Sequence, residues 1–392
     1  MTVNAFSASP SLAGYLYQCR LALLETLNRL KNDPCVIVFI ESLDDIHFES
    51  KGKSFELLQT KLHLNRFANL TDSSLDIWKS VRIWIDQLKS GFNNSDIKRY
   101  LITTSKAADG SALSFLKLEN RNVTTAEQIF HNVSLTSKNK DLQKIFSDFK
   151  ALDKNERLNL LDTIIVIDNA IDHAGITKNL HSSLWGICDR EKLNIFIEYL
   201  EGWWFSRILK DIKNPNSYIM IPGNEIDSKI NELREGFKQD NLPIDSELVN
   251  AIVDHEIYKN YIFVKQLQLA NINTNRIPFA VNNYYRAIEQ RSRWIREDLL
   301  LVGDIEKYEN KLIEEWDILF KATFDELEDN TSNEEKIKLA KKLYRWAEQE
   351  ANIPIRVNCH EAFITRGSLQ ILSDNKKVGW HPDYRSLLDS LI

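Results

Sequence analysis

The sequence predicts an N-terminal α/β domain, a mixed sheet flanked by helices over residues 1–160, followed by a mainly α-helical C-terminal domain over 161–392. Three observations lead there. The chain has 392 residues, and at roughly 100 to 200 residues per domain that length suits two or three domains. Short apolar runs of strand length cluster in the first part of the chain, between segments with a helical apolar stripe. From Glu191 onward, long amphipathic helices rich in aromatic residues dominate.

The elements follow in order. Ser9-Pro10 opens a helix whose Leu12, Tyr15, Leu16, Cys19, Leu23, Leu27 and Leu30 form an apolar stripe, ended by Lys31-Asn32-Asp33-Pro34. Three strand-like runs come next, at 35–41, 44–48 and 55–62; the first two read either as separate strands or as one bent strand, and Lys51-Gly52-Lys53 makes a turn. A helix over 74–88 turns Leu75, Trp78, Ile85 and Leu88 inward, and a strand follows at 100–104. From Thr124 the pattern is mostly helical, interrupted by an apolar strand at 163–167. Further helices are expected at 199–209, 245–258, 282–298 and 311–327, an acidic loop at 328–335, and a short strand pair between Gly367 and Trp380.

Composition narrows the class. Hydrophobic residues make up 43% and charged residues 27%, with 12 Gly and 8 Pro, which is the balance of an ordered globular chain. The longest apolar runs, Cys35 to Ile40 and Ile164 to Ile167, fall far short of the ~20 residues of a membrane helix. Met1 to Ala5 lacks the basic and apolar regions of a signal peptide, so a cytoplasmic location away from membranes is expected. Cys19, Cys35, Cys188 and Cys359 form no CxxC pair, which argues against a zinc knuckle or a disulfide framework. Net charge is −6, against a protein that coats nucleic acid, yet residues 1–160 hold 21 Lys+Arg against 18 Asp+Glu and the rest 29 against 38. Of the two parts, the first is better suited to a polyanion.

One constellation carries chemistry. Hydrolysing a phosphodiester needs a cation to polarise the phosphate and a water placed in line. Nucleases of the PD-(D/E)xK type supply both from adjacent strands: an acid at one strand end, and an acid or Gln two positions before a Lys on the next. Side chains alternate along a strand, so Gln59 and Lys61 project from one face. Asp45 lies 14 positions earlier, room for two short strands and a turn, and Glu41 shares its parity if the strand is continuous. Gln59 and Lys61 also follow Phe55 and Leu57 on a face that is apolar at one end, where an emerging charge usually has a task. Against this, Gln-x-Lys on a strand is common, and Asp44-Asp45 reads equally as a solvated strand end.

A resemblance adds to that reading. The strings Ser11-Leu12-Ala13-Gly14-Tyr15-Leu16-Tyr17-Gln18, Ile40-Glu41-Ser42-Leu43-Asp44-Asp45-Ile46 and Leu58-Gln59-Thr60-Lys61-Leu62-His63 resemble the N-terminal endonuclease domain of antiphage effectors. That domain occurs in the effector endonuclease of cyclic-oligonucleotide (CBASS) defence and in the nuclease subunit of Lamassu, the ABC-three-component systems. Gly202-Trp203-Trp204-Phe205, the run from Tyr285 to Trp294, and Val378-Gly379-Trp380-His381-Pro382 are similar to the C-terminal domain of ABC-three-component effectors. The resemblance implies a restriction-endonuclease-like N-terminal fold and a metal-dependent DNA endonuclease using Mg²⁺ or Mn²⁺. It implies Asp45 and Gln59 as metal ligands, Lys61 orienting the attacking water, and Glu41 as an additional acid. It also implies double-stranded DNA as substrate, an SMC-like ATPase and a third small subunit as partners, and a homo-oligomer in the active state. Gln59 in place of an acid removes a negative charge, an expected brake on metal binding before DNA arrives.

Other readings are set aside. Gly52-Lys53-Ser54 mimics the end of a P-loop, but His47 stands where the first glycine is required. His63 reads as a strand-end histidine, its part in catalysis left open. Cys359, His360 and His381 are too dispersed for zinc. Arg286, Arg291 and Arg293 among Tyr284, Tyr285 and Trp294 read as interface or intrachain packing, since Glu289 and Glu297 sit among them. Trp203 and Trp204, about 100° apart on a helix, form no flat stacking platform. Two functional classes remain: an endonuclease effector, and a catalytically silent scaffold that uses the same fold to bind DNA or proteins.

Overall fold

The computed structural model describes residues 9–51, 53–63, 69–90, 97–213, 218–325, 327–328 and 330–390. Met1 to Ala5, Gly52 and the side chain of Phe55, which entered the sequence reading, lie outside them. The chain forms two compact units, Met1–Asn231 and Glu232–Ile392.

The first unit runs α1 (Ser9–Leu30), β1 (Ile37–Ile40), β2 (Ile46–Ser50), β3 (Lys53–Lys61), α2 (Leu75–Lys89), β4 (Lys98–Thr103), α3 (Val123–Thr136), α4 (Gln143–Ala151), α5 (Lys154–Asp162), β5 (Ile164–Ile167), α6 (His173–Ser183), α7 (Leu193–Ile212), β6 (Ile219–Pro222) and the start of α8 (Gly223–Gly236). The strands form one mixed sheet in the order β5-β4-β3-β2-β1-β6. β2 pairs antiparallel with both β1 and β3, and β6 antiparallel with β1, whereas β3, β4 and β5 run parallel. Parallel neighbours need a crossover, which α2 supplies between β3 and β4 and α3 to α5 supply between β4 and β5.

Register assigns the faces. Gln59, Leu101 and Val166 stand side by side across β3, β4 and β5, with Leu57, Arg99 and Ile164 in the adjacent row. Leu101, Ile164 and Val166 belong to the core built with α2 to α5. Its centre is Trp78, which meets Phe130, Phe146 and Phe149 edge-on at 5.3, 4.7 and 5.5 Å, a geometry that suits the aromatic quadrupole. Arg157 of α5 reaches Glu127 of α3 at 2.7 Å beneath this layer. On the opposite face α1 lays the Arg29 guanidinium 4.0 Å over the Phe48 ring and bonds Glu56 at 2.6 Å. α1 is tied to the chain around α6 and α7 by Tyr17 Oη to Ile171 O at 2.8 Å and Trp204 Nε1 to Cys19 O at 2.9 Å. The mixed sheet flanked by helices is therefore present.

Two expectations change here. β1 and β2 are separate antiparallel strands and not one bent strand: Glu41 turns the chain at φ 52°, and Glu41 N–H and Ser42 N–H bond Asp45 O and Asp44 O at 3.0 and 3.2 Å. Glu41 and Asp45 thus face each other across a turn. The expected boundary at 160 falls inside α5, because β5 and β6, both later in the chain, complete the two edges of the sheet. That completion comes from long-range strand pairing, to which local composition is blind.

The second unit is helical: α9 (Ser246–Val249), α10 (Ile262–Leu269), α11 (Ile277–Arg296), α12 (Val302–Phe324), α13 (Asn333–Arg345), α14 (Ala362–Asp374) and α15 (Tyr384–Asp389). The helix expected over 245–258 shortens to α9 and a 3-10 turn at His255–Tyr258. Side chains of α11 take the backbone groups it would need: Asp245 N–H donates to Gln290 Oε1, Val253 N–H to Asn282 Oδ1, and Arg286 Nε donates to Ala251 O. The strand pair expected near Gly367 to Trp380 is instead α14 and its following turn. α14 is buried on nearly every side from Phe363 to Ser373, so its sequence lacks the polar stripe that marks a surface helix. No helix among the described residues is long and apolar enough to cross a membrane.

Gly367 lets α14 lie directly on α11: a Cβ there would collide with Asn283 O and Ala287 Cβ. Gly367→Ala is expected to destabilise the second unit by about 1–3 kcal/mol, the usual cost of overpacking. Urea denaturation checks it, and an unchanged midpoint would contradict this packing.

Candidate active site

The sequence-predicted residues gather where β3 ends. Ile46 pairs with Leu58, so one step further along the same register Asp45 comes opposite Gln59. Asp45 Oδ2 accepts two hydrogen bonds from Thr60, from the main-chain N–H at 2.7 Å and from Oγ1 at 2.9 Å. Its other carboxylate oxygen takes part in no hydrogen bond among the described residues. Gln59 is only 2% exposed, and its Oε1 is buried without a hydrogen-bond partner among the described residues. A buried carbonyl oxygen left unpaired costs about 1–3 kcal/mol, which a ligand for it would offset. Lys61, the last residue of β3, shares the parity of Gln59, is half-buried, and makes no ion pair among the described residues.

Glu41 is open to solvent yet packed on one side, and burial raises its carboxyl first; Gln18 lowers it through a hydrogen bond, the Asp45 charge raises it, and Lys61 lowers it. Glu41 therefore feels the charges of both Asp45 and Lys61. No hydrogen bond among the described residues directly joins Asp45, Gln59 and Lys61.

The turn at 41–45 is anchored from both sides. From α1, Gln18 Nε2 donates to Asp45 O at 2.6 Å. From α2, Trp84 Nε1 donates to Asp44 Oδ2 at 2.9 Å and Gln87 Nε2 to Leu43 O at 2.5 Å. Gln18, Thr60 and Trp84 were given no role in the sequence reading. Gln18 could have been found, because a Gln interrupting the apolar stripe of a helix must satisfy its amide inside. Asp44 overturns the solvated strand-end reading: it is 7% exposed, and burial pushes its carboxyl up to about 7, helped by the charge of Asp45 and opposed by the Trp84 hydrogen bond.

The second oxygen of Asp45 and Gln59 Oε1 are each the kind of donor a hard cation takes, though the Thr60 hydroxyl that holds Asp45 Oδ2 projects from the face of β3 opposite to Gln59. Among the described residues no group of three His, Cys, Asp or Glu could hold a metal ion. An ion here would complete its shell with water and phosphate oxygens, as Mg²⁺ accepts.

The other sequence readings resolve as packing. His63 follows β3, donates its N–H to Thr104 Oγ1 at 2.9 Å, and carries Nε2 3.8 Å from Asp76 Oδ2. His381 Nδ1 accepts from Asp383 N–H. Trp203 and Trp204 are tilted by 45° with centroids 6.4 Å apart, and Trp204 is fully buried. On α11, Tyr284 and Trp294 are buried, Arg291 pairs with Glu309 and Arg293 with Asp245.

Residues 263–388 match the family described as C-terminal domain 7 of the ABC-three component (ABC-3C) systems. No curated protein matches the chain. Similar solved structures include the Acinetobacter baumannii Cap4 SAVED/CARF-domain containing receptor with the cyclic trinucleotide 3'3'3'-cAAA, at 12% identity and a TM-score of 0.34, covering 66% of this chain and 58% of that one. Another structure of the Acinetobacter baumannii receptor is similar at 13% identity and a TM-score of 0.31, covering 71% and 68%. The chain thus spans 58% of the length of the first of these receptors.

The raised carboxyl of Asp44 has a measurable consequence. Between about pH 4, the unfolded value, and about pH 7 the folded protein holds a proton that the unfolded chain has lost. The stability due to this group is therefore full below pH ~4 and is lost as pH rises through pH ~7. In EDTA, Asp44→Asn should remove that loss, gaining on the order of a few degrees in Tm over the parent at pH 8 relative to pH 5. Parallel Tm profiles for variant and parent would contradict it.

Proposed function

With residues 263–388 matching C-terminal domain 7 of the ABC-three component systems, we propose that the chain is a metal-dependent DNA endonuclease effector of such an antiphage system, of the PD-(D/E)xK type. The observation that carries this reading is the orphaned, buried Gln59 Oε1 on the same strand face as Lys61, with Asp45 held opposite by Thr60. Among the described residues the amide oxygens of Gln87, Gln266 and Gln370 are buried and unpaired as well; what singles out Gln59 is that strand register sets it opposite Asp45 and on one face with Lys61, the donor types a cation site uses. The element order α1-β1-β2-β3-α2-β4, with β3 and β4 parallel, supports it.

Asp45 and Gln59 would hold Mg²⁺ or Mn²⁺, which when bound polarises the scissile phosphate. Thr60 fixes the carboxylate of Asp45 so that one oxygen stays available. Lys61 orients the attacking water and lends its charge to the phosphate, and Glu41, its carboxyl raised, serves as an additional acid. Gln18 positions both acids by gripping the turn between them. Gln59 supplies a neutral oxygen and so a weaker grip on the ion until DNA phosphate joins it, which keeps the resting enzyme quiet.

In this reading the substrate is double-stranded DNA, the partners are an SMC-like ATPase and a third small subunit that restrain the chain until foreign DNA is sensed, and the active state is a homo-oligomer. The thin donor set, one carboxylate and one amide oxygen with no group of three His, Cys, Asp or Glu fit to hold a metal among the described residues, favours the second reading, a catalytically silent scaffold that uses the same fold to bind DNA or proteins.

A plasmid-cleavage assay with Mg²⁺ or Mn²⁺, in the presence and absence of the neighbouring gene products, separates the two. Lys61→Ala and Asp45→Ala are each expected to lower cleavage by about 10²–10⁴-fold with the fold intact by circular dichroism, and EDTA is expected to silence the parent. Cleavage that survives EDTA, or equal nicking by Lys61→Ala, would sink the assignment.

A further inference from the structure

The second unit carries a groove of about 640 Å³ whose lining includes Ile252, Arg276, Phe279, Arg286, Glu348 and Arg366. The three arginines are not equivalent. Arg276 is already neutralised, its Nε and Nη2 gripping Glu348 at 3.2 and 2.6 Å. Arg286 spends only its Nε, on Ala251 O at 2.9 Å. Arg366 makes no hydrogen bond or ion pair among the described residues. Beside these two uncompensated cations lie two large apolar side chains in water, Ile252 at 82% and Phe279 at 66% exposure. Planar guanidinium forks favour carboxylates, as the Arg276–Glu348 pair in the same groove illustrates. The groove therefore suits a short acidic segment that also carries an apolar side chain.

The chain holds such a segment. Residues 325–335 contain six acids, Asp325, Glu326, Glu328, Asp329, Glu334 and Glu335, with no Lys or Arg, and Leu327 sits among them. Asp325 and Glu328 are exposed and make no ion pair among the described residues. Unpaired cations in the groove thus match two unpaired acids, Asp325 and Glu328, and no described residue of that segment is among those that line the groove. DNA is the poorer fit: residues 232–392 hold 22 Lys+Arg against 28 Asp+Glu, so the unit as a whole repels a polyanion while two local cations suffice for a short acidic strand.

We propose that this groove receives the acidic segment 325–335 of a second copy of the chain. In a two-fold dimer the contact is made twice, each groove taking the other copy's segment. The proposal rests on the self-association within the proposed function and is independent of its nuclease chemistry.

Sedimentation velocity of the full chain, read alongside the cleavage assay, tests it. The parent is expected to self-associate, less tightly as salt is raised. Arg366→Glu, and separately the double variant Asp325→Lys/Glu328→Lys, should each weaken association by about tenfold or more, with unchanged thermal melts. Mixing the two variants should restore it, since each then offers the charge the other lacks. A synthetic peptide of residues 323–335 should compete with parent association. Association that ignores both charge reversals, or variants that fail to restore each other, overturns this contact and leaves self-association standing. A parent that stays monomeric overturns both, whatever its cleavage. If Arg366→Glu instead loses only the partner subunits, the groove belongs to them and the proposal falls.

Discussion

The site depends on Thr60, which holds Asp45 Oδ2 through its main-chain N–H and its hydroxyl, at 2.7 and 2.9 Å. These two hydrogen bonds join the entry of β2 to the exit of β3. A strand slipped by one residue presents its opposite face, so this joint keeps Gln59 and Lys61, not Thr60, on the face shared with Leu101 and Val166. It also occupies one carboxylate oxygen and leaves the other available. Hydrogen bonding, strand register and the chemistry of the site are here one constraint.

The cost of that arrangement is concentrated in the turn at 41–45. Glu41 adopts φ 52°, an uncommon conformation for a side chain of its size. Three acids, Glu41, Asp44 and Asp45, stand within five residues. Burial drives Asp44 toward its neutral form, which relieves the repulsion and keeps a proton where an exposed carboxylate would have none. Gln18, Trp84 and Gln87, from α1 and α2, bind the turn without adding charge. Helices on both faces of the sheet therefore hold a charged, strained loop in one geometry.

The second unit solves a different problem. α14 is buried on nearly all sides and meets α11 where Gly367 leaves no side chain between them. Most polar side chains of α11 are spent on packing, Asn282, Gln290, Arg291 and Arg293 each holding a partner within the unit. Arg286 and Arg366 line the groove with exposed Phe279 and Ile252, a pattern common at protein interfaces, where Arg and aromatic residues are enriched.

The sequence by itself determined the element types wherever periodicity was clear: α1, α2, α7, α11 and α12 from their apolar stripes, and β3 and β4 from short alternating or apolar runs. It determined the candidate trio as well, because Gln59 and Lys61 two apart on a strand must share a face, whatever surrounds them. What only the tertiary structure decided are the features set by residues far apart in the chain. β5 and β6 complete the sheet from beyond residue 160, since strand pairing pays no regard to sequence distance. The stretch 245–258 gives up most of its helix because the side chains of α11 compete for its backbone groups. α14, buried all round, shows no stripe from which its helix could be read. Asp44 and Asp45 are neighbours with the same chemistry, and only the packing of Trp84 against one and Thr60 against the other makes the first a buried acid and the second the open carboxylate of the site.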